Sequence, residues 1–233
     1  MKIIPVLDIK GGQVVRAEGG RRDRYLPIST PLSPDSDPVS VANGLRSLHP
    51  FSTFYIADLD AIEGRASNRE ALEKLVDMPS SPELWVDAGF SIEEDVAEAL
   101  KRPRTRPVIG SESQQDERLL RRFCRHPDII LSLDFFGEGF RGPPVLLSDT
   151  TFWPDTVIVM TLAKVGSGSG PDFSRLSEVK SRASDRAIIA AGGIRHEDDL
   201  RQLAQLGIAG ALVATALHGG ALSPSQLVGL DRQ

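Results

Sequence analysis

Eight times along this chain a short apolar run gives way to a stretch with helical spacing. The apolar runs fall at about 2–7, 51–56, 84–86, 107–109, 129–133, 156–160, 187–190 and 210–213. Each is short, nearly continuous and bounded by turn residues, which suits a strand buried on both faces. Stretches of helical period follow at 39–48, 68–76, 91–100, 119–123, 172–179, 196–206 and 223–230. After the fifth strand the helix is weak, around 146–153. Alternation at this rhythm implies parallel strands joined by crossovers, and eight such units in 233 residues fit a single closed (β/α)8 TIM barrel. An open doubly wound sheet is the competitor, but no Gly-x-Gly-x-x-Gly follows the first strand. The segment 13–17 is expected to add a short hairpin, 19–37 a long polar loop, and 135–144 a glycine-rich loop. Asn68, Ser91 and Asp172 are expected to cap helices, Ser91 through a capping box with Glu94.

An internal repeat sharpens the barrel reading. The stretch Asp87-Ala88-Gly89-Phe90-Ser91-Ile92-Glu93-Glu94 lies over Ala191-Gly192-Gly193-Ile194-Arg195-His196-Glu197-Asp198, an offset of 104 residues. At the same offset Gly110-Ser111 lies over Ala214-Thr215. Asp58 falls over Thr161, and Asp8 over Asp134. The chain therefore reads as two half-barrels, roughly 1–125 and 126–233, within one domain. Ring closure of two such halves sets Asp8 and Asp134 across the barrel from each other. Both stand at the C-terminal ends of their strands, where barrel enzymes keep their sites. A carboxylate closing a buried strand is costly unless paired, solvated or used.

Composition excludes several classes. Net charge is −5 with dispersed basic residues, which argues against a nucleic-acid partner. A single cysteine, Cys124, rules out an internal disulfide framework and a thiolate zinc cluster. The four histidines show no ligand spacing, so no metal and no cofactor is expected. No run reaches membrane-span length, and nothing resembles a secretory signal. A cytoplasmic protein acting on a small molecule is expected, with the oligomeric state open.

The segment Ile4-Pro5-Val6-Leu7-Asp8-Ile9-Lys10-Gly11-Gly12-Gln13-Val14-Val15-Arg16 closely resembles the opening of the two histidine-biosynthesis barrels. These are the phosphoribosylformimino-aminoimidazole carboxamide ribotide isomerase and the imidazole glycerol phosphate synthase cyclase subunit. Leu133-Asp134, Ala191-Gly192-Gly193-Ile194 and Val213-Ala214-Thr215-Ala216-Leu217 resemble later motifs of that family, so the likeness covers nearly the whole chain. The resemblance implies Asp8 and Asp134 as the general base and acid pair. It also implies a phosphate site from the loops after strands six, seven and eight: Gly166, Gly168, Gly192, Gly193, Ala214 and Thr215. Glycine loops that expose backbone amides are a phosphate cradle by mechanism. An Amadori-type aldose-to-ketose conversion needs one group to remove a C2 proton and another to protonate the ring oxygen, and two opposed carboxylates can divide those roles.

Departures from the family pattern point to a related branch with a different substrate. The family's three consecutive glycines after strand three are here Asp87-Ala88-Gly89, and Glu112 follows Gly110-Ser111. Negative charge at Asp87 and Glu112 opposes a phosphate dianion, so one phosphate is expected rather than two. The sixth loop lacks the family's Asp-Gly-Thr, and Ala214 replaces a usual glycine. The branch resembles proteins linked to one-carbon and methanopterin metabolism. Asp58 and Thr161, closing strands two and six, are expected at the pocket. Lys10 matches a lysine of the cyclase, and Lys164 stands where a Schiff-base lysine can occur in barrel aldolases. Three readings follow: an acid-base isomerase of a phosphorylated sugar-like substrate, a lyase or aldolase-type condensing enzyme using Lys10 or Lys164, and a non-catalytic phosphate-binding or partner subunit.

Overall fold

The computed structural model describes residues 1–79, 82–137 and 139–231. Eight strands form the ring: β1 Lys2–Lys10, β2 Thr53–Asp58, β3 Glu83–Asp87, β4 Thr105–Gly110, β5 Ile130–Phe136, β6 Thr156–Thr161, β7 Ala187–Ala191 and β8 Gly210–Val213. Each pairs in parallel with the next. The ring closes when β8 pairs in parallel with β1, Lys2 against Gly210 through Pro5 against Val213. This is the (β/α)8 barrel the sequence implies.

Side chains alternate across each strand. One inward residue per strand fills the barrel: Ile4, Tyr55, Trp85, Val108, Ile130, Ile158, Ile189 and Leu212. Their outward neighbours, among them Leu7, Ile56, Val86, Leu131 and Val159, pack under the helices. Burying one such aliphatic side chain is worth about 1.5–3 kcal/mol. No helix among the described residues is long and apolar enough to cross a membrane.

The crossovers follow the expected rhythm. Helices Pro38–Leu48, Arg69–Val76, Glu93–Leu100, Arg118–Phe123, Phe173–Arg182, Glu197–Gln205 and Pro224–Asp231 separate or follow the strands. After β5 there is only a short helix Pro144–Ser148 and a 3-10 turn Thr150–Phe152, as the weak pattern implied. Asp172 caps its helix through the Arg175 amide. Two expected caps fail. Ser91 lies one residue outside the helix, whose N-cap position is Ile92, so no capping box forms. Asn68 occupies an N-cap position without capping, because its Oδ1, the atom a cap needs, accepts from the Gly12 amide while its Nδ2 donates to Asp58 and Asp60.

Both halves add the same device. Gln13–Arg16 folds back antiparallel on β1, setting Asp8 opposite Val15. Gly139–Arg141 folds back on β5, setting Asp134 opposite Arg141. The stretch expected as a loop after β5 thus contains a hairpin that repeats the first one.

The long segment after β1 is tied down rather than loose. Lys10 Nζ donates to the Arg22 carbonyl at 2.7 Å, and the Ile28 amide donates to the Val14 carbonyl at 2.9 Å. Its far end rests on helix Pro38–Leu48 at Gly44, where a Cβ would stand 1.9 Å from the Leu32 carbonyl oxygen. Glycine to alanine inside a helix ordinarily stabilises by about 1 kcal/mol. Gly44→Ala should reverse that sign and cost roughly 1–3 kcal/mol through overpacking. Urea denaturation of the two proteins measures it, and a stabilised variant would show that the 19–37 segment does not rest on this helix.

Candidate active site

Inward alternation continues to the C-terminal ends of the strands, and there it brings carboxylates together. Asp8 on β1 follows Ile4 and Val6, Asp87 on β3 follows Trp85, and Asp134 on β5 follows Ile130 and Ser132. All three line one cavity of about 420 Å³ at the barrel mouth, together with Glu112. Gly110, the inward residue of β4, lies between two of them: a Cβ there would sit 3.3 Å from Oδ2 of both Asp87 and Asp134.

Asp134 is the most supported. Ser132 Oγ donates to its Oδ1 at 2.6 Å, while the Glu112 amide and Ser111 Oγ donate to its Oδ2 at 3.0 and 3.2 Å. Burial nonetheless pushes its carboxyl up to about 7, and neighbouring Asp87 adds to that. Asp87 accepts from the Gly89 amide at 3.1 Å and from the Tyr55 hydroxyl at 3.2 Å. Burial raises it to about 6, with Glu112 pushing the same way. The Asp8 carboxylate accepts no hydrogen bond among the described residues. Burial takes it to about 7, opposed by the Arg22 guanidinium. Arg22 itself comes from the segment after β1 and pairs with Glu112, tying that segment to the β4 loop.

The opposite side of the cavity is built differently. Gly166, Gly168, Gly192, Gly193, Ala214 and Thr215 all line it. Gly193 holds φ +84°, and a Cβ on it would meet the Gly170 carbonyl oxygen at 2.3 Å, so the β6 and β7 loops interlock only with glycine there. Among the described residues no protein acceptor takes the backbone N–H of Gly168, Gly193 or Thr215. Arg16 and Arg195 also line the cavity. Arg195 is paired with Asp199, whereas Arg16 is in no ion pair among the described residues. Arg16 lies beside His218, whose ring burial pushes down to about 4.

Four expected site residues are not in the cavity wall. Asp58 and Thr161 close their strands on the outward parity, one position past inward Ala57 and Met160. Asp58 is fully buried as a turn former, accepting from Ala61 N, Ser67 Oγ and both nitrogens of Asn68. Lys10 is spent on the Arg22 carbonyl. Lys164 ends a 3-10 turn, and its carbonyl accepts from Ser167. Residues not foreseen are Arg16, Arg22, Tyr55, Arg195 and His218. Strand parity could have found Tyr55, two residues before inward Ala57. Nothing local marks Arg22, which meets Glu112 across 90 positions of sequence.

These carboxyls bind protons more tightly folded than unfolded, where an aspartate titrates near 3.8. Between about pH 4 and pH 7 the native state therefore holds the extra protons, and stability falls as pH rises through that window. Asp87→Asn removes one titrating group and relieves Asp134. Its stability relative to the unmodified protein should improve steadily from pH 4 to pH 7.5 in urea titrations. Parallel stability curves for the two proteins would contradict the assigned environment.

The sequence profile of the histidine biosynthesis protein family matches residues 2–151 and 153–223. A Methanocaldococcus jannaschii protein described as uncharacterized is 29% identical over 98% of both chains. A Chloroflexus aggregans protein is 31% identical, covering 95% of this chain and 94% of its own, and an Alkaliphilus metalliredigens protein is 28% identical over 99% and 100%. Both are named as imidazole-4-carboxamide isomerases whose substrate name carries two phosphoribosyl groups. With its barrel, its mouth and these relatives taken together, the chain belongs to the histidine biosynthesis protein family.

Proposed function

We propose that this protein is an acid-base isomerase of a small sugar-like substrate bearing one phosphate. The observation that carries the proposal is the shared cavity: Asp8 and Asp134 line it together with backbone amides that no acceptor among the described residues uses. The isomerase names of the Chloroflexus and Alkaliphilus relatives support the reaction class. The phosphate sits against Gly168, Gly193 and Thr215, with positive charge added by Arg16, which is in no ion pair among the described residues.

Neighbouring charge divides the two carboxyls between the roles. Asp87 and Glu112 beside Asp134 favour its protonated form. The Arg22 guanidinium nearest Asp8 favours its ionised form. Asp134 therefore gives its proton to the ring oxygen as the ring C–O bond breaks, and Asp8 takes the C2 proton to leave an enol or enolamine. Return of that proton from Asp8 to C1, with the C2 hydroxyl proton passing to the Asp134 carboxylate, completes the aldose-to-ketose change and restores both groups. With values close to 7 both groups are poised to exchange protons at neutral pH.

A lysine-based condensation has weaker support, because neither Lys10 nor Lys164 lines the cavity. On the first-half side a second phosphate would meet the carboxylates of Asp87 and Glu112, and the Arg22 guanidinium there is already paired with Glu112. We therefore expect poor turnover of the bis-phosphorylated histidine-pathway compound.

Two measurements test the reading. Asp8→Asn and Asp134→Asn should each keep the fold and lower turnover at least about 100-fold, the usual scale of lost acid-base catalysis. Full activity in either variant would sink the acid-base assignment. On the bis-phosphorylated compound, kcat/KM above about 10⁴ M⁻¹s⁻¹, the ordinary enzyme range, would restore the two-phosphate reaction instead. Ligand binding without turnover on any phosphosugar would favour a binding protein.

A further inference from the structure

We infer that the ligand carries a protonated amine at the end facing Asp87, opposite its phosphate. The inference rests on the one-phosphate reading above and adds what the other end must be. On that side two of the backbone amides suited to an anion are already taken by the protein's own carboxylates. The Gly89 amide donates to Asp87 and the Glu112 amide donates to Asp134. Two side-chain donors there are likewise engaged, Tyr55 with Asp87 and Arg22 with Glu112. What this side chiefly offers a ligand is acceptors. The Asp8 carboxylate accepts nothing among the described residues yet lines the cavity. Gly110 leaves the Oδ2 atoms of Asp87 and Asp134 without an intervening side chain.

Charge has the same polarity as the hydrogen bonding. Asp8, Asp87, Glu112 and Asp134 face a single guanidinium, Arg22, on this side, while Arg16 and Arg195 belong to the glycine-loop side. A phosphate at the acidic end adds repulsion, and a hydroxyl brings one donor and no charge. An ammonium group brings positive charge and three donors to a wall that offers carboxylate acceptors, Asp87 foremost. The cavity is thus electrostatically matched to an amino-phosphate, a dipolar ligand aligned from Arg16 toward Asp87.

The test is isothermal calorimetry on the full chain with three matched series of alkyl monophosphates, differing only at the far end: amine, hydroxyl or second phosphate. A range of chain lengths covers the span. At the best length the amine should bind at least about tenfold more tightly than the hydroxyl, the worth of one charge-assisted hydrogen bond, and the bisphosphate most weakly. Asp87→Asn should bring the amine-to-hydroxyl ratio toward one, and if that variant does not fold, Glu112→Gln should lower the same ratio. An amine no better than the hydroxyl, or a bisphosphate that binds best, overturns the inference while leaving a phosphate site standing. Absence of binding by inorganic phosphate and by every series removes the phosphate reading itself, and the inference with it.

Discussion

Everything at the mouth of this barrel depends on the parallel pairing of β8 with β1. Lys2 to Pro5 against Gly210 to Val213 turns an open sheet into a ring. In a closed parallel ring every strand ends at the same rim, so residues at eight separate places in sequence become neighbours. Closure also fixes parity. One layer of inward residues fills the interior from Ile4 to Leu212, and further along the same inward face, toward the rim, come Asp8, Asp87 and Asp134. Packing below holds these carboxyls where water is scarce, and that scarcity keeps them near neutrality.

How much of this can be read in the chain follows from the physics involved. The barrel is readable because its strands are apolar runs and its helices have a period. Asp8 and Asp134 are readable because a carboxylate ending an apolar run is conspicuous, and the β6, β7 and β8 loops because glycine marks backbone that must approach closely. Asp58 and Thr161 end strands just as Asp8 does, yet they stand on the other face, and one residue of parity separates a cavity wall from a buried turn. The caps at Ser91 and Asn68 miss for a related reason. A capping oxygen competes for donors with whatever the fold brings near it, and that of Asn68 takes the Gly12 amide. The Arg22–Glu112 pair is invisible beforehand, because no local pattern says which distant loop a surface-like arginine will reach.

The two halves share a plan and differ in how they treat anions. Both open with a strand carrying an aspartate and a folded-back hairpin, Asp8 opposite Val15 and Asp134 opposite Arg141. In the second half the Gly168, Gly193 and Thr215 amides keep their hydrogen-bonding capacity. In the first half Asp87 takes the Gly89 amide, the counterpart of Gly193, and Asp134 takes the neighbouring Glu112 amide. A carboxylate built into the chain thus stands where a bound phosphate would otherwise be held. That substitution separates this protein from a symmetric two-phosphate barrel, while the acid-base pair remains.

The most direct measurement is a crystal structure determined in inorganic phosphate. The account predicts a single anion, bound against Gly168, Gly193 and Thr215 beside Arg16. An anion held by Gly89 and Ser111 would contradict it, because Asp87 and Glu112 would then have to turn out of the cavity they line.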